Sequence, residues 1–289
     1  MRCLIVILCL LQFRVQAFDW LDRTIRVDLI VDRTRRDFDP RYDSIKQQSE
    51  TMLISATNAT NGQYPWSIFT TAWIDTEVGL REAILCSGTI ISENFALSDI
   101  SCTGQDQNPP ASSIELYVGL AQWPLTTPTN FVRHFWYIEP SPENSPSIVL
   151  YRLHESLIFN PNVHPIRLPF YQNFYYEGWS SLVLGYGSLS SETYAAQLQS
   201  VHTSITNNSL CNVAIDEHEI CGIESREPNE TDAGFSGGAW IVYEYTDAGL
   251  EFIPVLIGIH QSSNNTTSFG RATRVSHFSE WIETLTTEA

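Results

Sequence analysis

Apolar residues are distributed along this chain in three regimes. Residues 3–11 form an unbroken apolar run behind Arg2, and Val15-Gln16-Ala17 follows. A positive start, a stretch too short to span a bilayer and a small final residue predict a secretory signal over residues 1–17. Residues 18–52 are polar, rich in Asp and Arg and without sustained periodicity, and read as a pro-segment or N-terminal arm. From residue 53 onward, short runs rich in Val, Ile, Tyr and Trp recur at residues 66–73, 84–91, 114–118, 181–186 and 254–260, between turns rich in Gly, Pro, Asn and Ser. Runs of that length and composition predict strands in a barrel or sandwich. Only the end of the chain changes period. Phe278, Trp281, Ile282 and Leu285 lie at helical spacing behind Ser276, a residue suited to an N-cap, so an amphipathic helix is expected over residues 276–285.

Charge narrows the partners. The chain carries 16 Lys and Arg against 33 Asp and Glu, a formal net charge of −17, and seven of the basic residues precede Asp37. Such an acidic body disfavours nucleic acid and anionic membranes, whose phosphates need Lys and Arg to displace counterions. It is compatible with a basic protein partner and equally with simple solubility. Within the arm, Arg33-Thr34-Arg35-Arg36 before Asp37 fits a site cut by furin-like convertases, or a solvated charge run. No stretch after the signal approaches the roughly 18 apolar residues of a spanning helix.

Cys3 and Cys9 lie in the signal, which leaves Cys86, Cys102, Cys211 and Cys221. An even number in a secreted chain predicts disulfides, and four cysteines allow three connectivities. Two local loops are expected, Cys86 with Cys102 and Cys211 with Cys221, each contributing on the order of 2 to 4 kcal/mol. Asn58, Asn207, Asn229, Asn264 and Asn265 open N-x-Ser/Thr sequons, which place their loops at the surface if glycans are attached. Asp216-Glu217-His218-Glu219 carries side chains that bind divalent ions. Four adjacent residues cannot all face one point on a strand, so a solvated loop is expected there, and neither a metal nor any other cofactor.

The chemistry concentrates at Gly234-Phe235-Ser236-Gly237-Gly238, a glycine-flanked serine turn. Four blocks in order around it resemble the chymotrypsin-like serine proteases: Leu53-Ile54-Ser55-Ala56 with Gly62-Gln63-Tyr64-Pro65-Trp66; Cys86-Ser87-Gly88-Thr89-Ile90-Ile91 with Ala96-Leu97-Ser98-Asp99-Ile100-Ser101-Cys102; Ser147-Ile148-Val149-Leu150-Tyr151-Arg152-Leu153 with Pro165-Ile166-Arg167-Leu168-Pro169; and Cys211 to Cys221, the serine turn, Gly258-Ile259 and the terminal Trp281-Ile282. The resemblance covers residues 53–285. It implies an all-β fold of two six-stranded antiparallel barrels with a C-terminal helix, and a domain over residues 53–289 behind the arm.

Laid onto these positions, the family's catalytic pattern fails at two of three members. Ser101 stands where the resemblance implies the histidine base, and Ser147 where it implies the orienting aspartate; only Ser236 matches, as nucleophile. A serine hydroxyl is a poor nucleophile at neutral pH unless an imidazole takes its proton. Loss of the histidine from the subtilisin triad costs about 2 × 10⁶ in kcat, roughly 8 to 9 kcal/mol of barrier. The activation switch is changed as well. Met52 precedes Leu53 where a basic residue is cut in the family, and Phe235 replaces the aspartate that would pair with the freed amino terminus; burying that ammonium unpaired would cost several kcal/mol.

The oxyanion hole implied at the N–H groups of Gly234 and Ser236 is therefore expected to be misoriented. His260, just before the stretch corresponding to a substrate wall, is expected to be an ordinary histidine. The implied pocket carries Glu230 at its floor and Gln261-Ser262-Ser263 and Gly270 along its wall. Two further family bridges lack both members, at Asp232 with residues 262–267 and at Ser181 with the region of Val242. A secreted, non-catalytic serine protease homologue is the resulting expectation, binding extracellular proteins such as active serine proteases or their substrates. In arthropods such homologues serve as cofactors or decoys in haemolymph cascades or as reproductive-tract proteins, although no clip-type cysteine module precedes this domain. The alternative is a weak hydrolase using Ser236 without the usual histidine and aspartate.

Overall fold

The computed structural model describes residues 57–75, 81–122, 132–140, 148–170, 174–186, 197–211, 215–224, 235–245, 252–261 and 269–287. Expectations for the signal, the arm and its basic site, Leu53, Ser147, Asn229, Glu230, Asp232, Gly234, Ser262, Ser263, Asn264 and Asn265 lie outside the described residues. The first strand, β1 (Thr57–Asn58), pairs antiparallel with a later strand by Thr57 opposite Ser200. Six strands then build a closed barrel: β2 (Ser67–Asp75), β3 (Arg81–Ile90), β4 (Phe95–Asp99), β5 (Ser113–Val118), β6 (Val132–Pro140) and β7 (Ile148–Leu153), paired in the order β2-β3-β4-β7-β6-β5.

The second half repeats the device. Strands β8 (Ser180–Gly185), β9 (Gln199–Thr206), β10 (Glu219–Glu224), β11 (Ala239–Tyr245), β12 (Phe252–Gln261) and β13 (Phe269–Arg274) are paired in the ring β8-β9-β10-β13-β12-β11. The ring closes where Trp240 and Ile241 of β11 meet Val183 and Leu182 of β8. All of these pairings are antiparallel, so the expected pair of six-stranded barrels is what the chain forms.

A continuous apolar core links the two halves. It runs from Ile68, Leu97, Leu116 and Leu150 in the first barrel to Leu184, Ile241 and Leu256 in the second, and on to Ile282 of the terminal helix. Polar groups pin the junction. Ser87 of β3 donates its N–H to the Ser236 carbonyl at 2.9 Å, and its Oγ accepts the Tyr186 N–H at 2.9 Å. Every residue of β4 is buried, including Ser98 and Asp99. The carboxyl of Asp99 is thereby carried to the barrel junction, where its polar atoms must find partners inside the protein.

Both expected disulfides are present, Cys86 with Cys102 and Cys211 with Cys221. The C-terminal helix differs at its start. Residues Val275–Phe278 form a 3-10 turn and α1 spans Ser279–Thr287, so Ser276 is no cap but a buried residue whose carbonyl accepts from the Ser279 hydroxyl. The reason is packing: Val275 and Phe278 are both buried, and a spacing of three residues stacks them on one side of a 3.0-residue turn.

Candidate functional site

The serine turn is held at the junction by its two glycines. Gly237 has φ +78°, and a Cβ there would lie 2.2 Å from both the Ser87 carbonyl oxygen and Ser98 Oγ. A Cβ on Gly238 would lie 2.0 Å from the Leu184 carbonyl oxygen. Only glycine permits so close an approach of the turn to β3, β4 and β8. The Gly237 N–H donates to the His260 carbonyl at 2.9 Å, and the His260 N–H donates to the Gly238 carbonyl at 2.8 Å. The turn is thus sewn to β12 on one side and, through Ser236, to β3 on the other.

On the first-barrel side, Ser101 sits in a 3-10 turn (Ile100–Thr103) directly after β4, anchored by the Cys86–Cys102 bridge. The structure brings together Ser101 and Ser236, the two described members of the implied triad, with Oγ atoms 3.2 Å apart. Asp99 was not singled out in the sequence, and it completes the cluster. It caps the 3-10 turn: its Oδ1 accepts the Ser101 N–H at 2.9 Å and the Ser101 Oγ–H at 2.5 Å. Burial pushes the Asp99 carboxyl up to about 6, against the lowering effect of the Ser101 hydrogen bonds, and the negative charge of Asp106 adds to the rise. Desolvation wins because two hydrogen bonds replace only part of the water an ionised carboxylate would hold. One signal could have revealed Asp99: it is the lone charge in a five-residue strand whose other members are apolar or small, two positions before Ser101.

Ser98 lies beneath this cluster and donates its hydroxyl to the Ser87 carbonyl at 2.7 Å. Tyr151 of β7 is fully buried against Ser98 and close enough to Asp99 to feel its charge, and burial raises its phenol well above the ordinary range. The first-barrel wall of the site is therefore a layer of hydroxyls around one carboxyl.

The second-barrel wall is apolar. Phe235 is 2 % exposed, and the Gly185 Cα lies so near that a Cβ there would be 2.7 Å from the phenyl ring. It packs edge-on to the His260 ring at 6.3 Å, within a cluster containing Val183, Trp240 and Val255. The imidazole of His260 is stacked on Trp240 at 6.2 Å and its Nδ1 accepts the Trp240 Nε1–H at 3.1 Å. His260 is the last residue but one of β12, and its ring is committed to the interior.

Of the implied pocket wall, Gln261 donates Nε2–H to Thr273 Oγ1 at 2.9 Å and Gly270 is buried opposite Gly222. At the site of one missing bridge, Ser181 donates its hydroxyl to the Thr203 carbonyl at 3.1 Å and Val242 is wholly buried, so a hydrogen bond and packing stand where the resemblance implies sulfur. In the acidic loop, Glu219 is buried; its Oε1 accepts from Arg271 Nη2 at 2.6 Å and its Oε2 accepts the Asp216 N–H at 3.0 Å. Asp216 and Glu217 are exposed, and the His218 ring turns to His277 and Phe278. Among the described sequons, the Asn58 Oδ1 accepts from Gln199 Nε2, and the Asn207 Oδ1 accepts both the backbone N–H and the hydroxyl of Ser209.

Two barrels with a serine turn at their junction make a testable family pattern, and the trypsin family model matches residues 53–282. The chain belongs to the trypsin family. Transmembrane protease serine 11G of Mus musculus is 25 % identical over 211 residues, covering 70 % of this chain and 49 % of that protein. The chain thus spans about half the length of that curated relative. A solved structure described as an HL collagenase at 1.7 Å resolution matches with a TM-score of 0.62 and 22 % identity, covering 81 % of this chain and 98 % of that one. That likeness establishes the fold. No helix among the described residues is long and apolar enough to cross a membrane.

Proposed function

We propose that this chain is a secreted member of the trypsin family that does not hydrolyse peptide bonds and acts by binding extracellular protein, either an active serine protease or a protease substrate. One observation carries the reading: the group hydrogen-bonded to Ser236 Oγ is the Ser101 hydroxyl, at 3.2 Å. Amide hydrolysis needs a base that takes the serine proton and then, as an acid, delivers it to the departing amine. At neutral pH a hydroxyl is too weak an acid to protonate a departing amine. Phe235 supports the same reading, since a phenyl ring packed on Gly185 and His260 cannot receive a new amino terminus. The retained core, bridges and turn geometry support a protein kept for its surface, and the net charge of −17 is compatible with a basic partner. Secretion rests on residues 1–17, and surface glycans on the five sequons.

The test uses the full chain expressed in a secretory host. The medium should contain protein lacking residues 1–17, and a peptide library should show no turnover above that of Ser236→Ala. Ser236-dependent cleavage of peptides would overturn the non-catalytic reading. Affinity capture from the native extracellular fluid should return a serine protease or one of its substrates, and recovery of nothing above background would count against the binding role.

A further inference from the structure

The carboxylate that the family pattern would carry at position 147 has a counterpart on the neighbouring strand. Asp99 pairs across β4 and β7 with Ile148, the residue that follows Ser147 in the sequence. Its Oδ1 holds the Ser101 hydroxyl at 2.5 Å, and Ser101 Oγ stands 3.2 Å from Ser236 Oγ. A capping role explains the bond from the Ser101 N–H, and an asparagine would cap as well. It leaves unexplained why an ionisable group is buried there, with a nucleophile-type hydroxyl next in line.

The chain has a direction. An ionised carboxylate only accepts hydrogen bonds, so the single Ser101 proton is committed to Asp99. Ser101 Oγ can then only accept, and the proton of Ser236 must point at it. From this geometry we infer that Asp99, Ser101 and Ser236 form a proton relay that makes Ser236 an acceptor of acyl or phosphonyl groups from activated esters and halides. In the step, Ser236 Oγ bonds to the electrophilic carbon or phosphorus while its proton passes to Ser101 Oγ. Ser101 passes its own proton to Asp99, and the leaving group departs as an anion with the bonding electron pair. The proton on Asp99 is later released to solvent. Leaving groups that are stable as anions need no proton, which restricts the chemistry to aryl esters, thioesters and phosphonofluoridates. Peptides, whose amine must be protonated to leave, are excluded, so this reactivity goes beyond the binding role and is independent of it.

Asp99 must be ionised for the relay to point outward. The charged and titratable groups facing it are Asp106, from the loop after the 3-10 turn, and the Tyr151 hydroxyl from β7. Asp106 opposes ionisation by its charge, whereas the shift at Tyr151 runs the other way, the Asp99 charge raising the phenol. With the carboxyl pushed up to about 6, reactivity should increase about tenfold from pH 5 to pH 7, following the ionised fraction.

The experiment is the rate of labelling of the intact secreted chain by a fluorophosphonate probe between pH 5 and pH 8, with Ser236→Ala as background. Expected is Ser236-dependent labelling with that pH step, at least tenfold slower and without the step in Asp99→Asn, equally slow in Ser101→Ala, and retained in Ser101→Thr, which keeps a hydroxyl. Melting temperatures show that each variant is folded; if one is not, the pH step of the parent chain and the Ser101→Thr rate decide. No Ser236-dependent label, a flat pH profile, or undiminished label in a folded Asp99→Asn or Ser101→Ala would overturn the relay. Peptide turnover is read separately, so failure here and failure of the non-peptidase reading are distinct results.

Discussion

The two walls of the site differ in their chemistry. On the first-barrel wall, Ser101 donates to a buried carboxyl, Asp99, and both are polar. On the second-barrel wall, Phe235 packs on His260, which is stacked on Trp240. One wall remains polar and able to move protons, whereas the other has become ordinary hydrophobic core. The lesson is that the scaffold of the site stands apart from its chemistry, because Gly237, Gly238 and Ser87 hold the turn through backbone contacts that do not depend on the reacting side chains.

The sharpest way to break this contrast is to make the second wall polar. Phe235→Asp should destabilise the protein by about 5 kcal/mol, combining the loss of a buried phenyl with an unpaired buried charge, as measured by urea denaturation. A much smaller loss would mean that a cation reaches position 235. Gly237→Ala tests the shared scaffold. Its Cβ meets two oxygens at 2.2 Å from a backbone at φ +78°, and a cost of about 3 kcal/mol is expected in the same measurement.

Asp99→Asn probes the first wall. Burial holds this carboxyl up at about 6 in the folded protein, against an ordinary value of 3.8, so the native state binds the proton more tightly than the unfolded chain. Stability is therefore lost as pH rises from about 4 through about 6, and above that the burial of the charge costs about 2 to 3 kcal/mol. Asp99→Asn should raise stability by that amount at pH 7.5 and by almost nothing at pH 4, read from melting curves at the two pH values. Trp240→Phe should have the smallest effect. It removes the indole donor to His260 Nδ1, and about 1 kcal/mol is expected with the aromatic stack retained.

Much of the fold was legible before any coordinates. The runs at residues 66–73, 84–91, 114–118, 181–186 and 254–260 each lie on a strand whose ends differ by three residues or fewer, because buried β-branched and aromatic residues mark them. Strand β9 was less visible. Its burial follows Gln199, Ser200 and Thr203 as well as Val201 and Ile205, so polar side chains occupy core positions and blur the period. The start of the terminal helix was misplaced because Ser276 has the composition of a cap, whereas the packing of Val275 against Phe278 selects a 3-10 turn. At the site, Ser101 and Ser236 were legible from their motifs. Asp99 was passed over, since a charge inside a strand reads as solvent-facing until burial is known.

Residue identity alone determined a strand-rich body, a glycine-flanked serine turn, the hydroxyl at position 101 and the phenyl at position 235. These are properties of short segments, each carrying its own hydrophobic period or motif. Only the tertiary structure decided that β4 lies at the barrel junction with all five residues buried, that His260 turns to Trp240, and that Asp99, Ser101 and Ser236 stand in one line of hydrogen bonds. Direction, burial and distance between residues more than a hundred positions apart are set by the closing of two barrels on each other, and no local pattern encodes them.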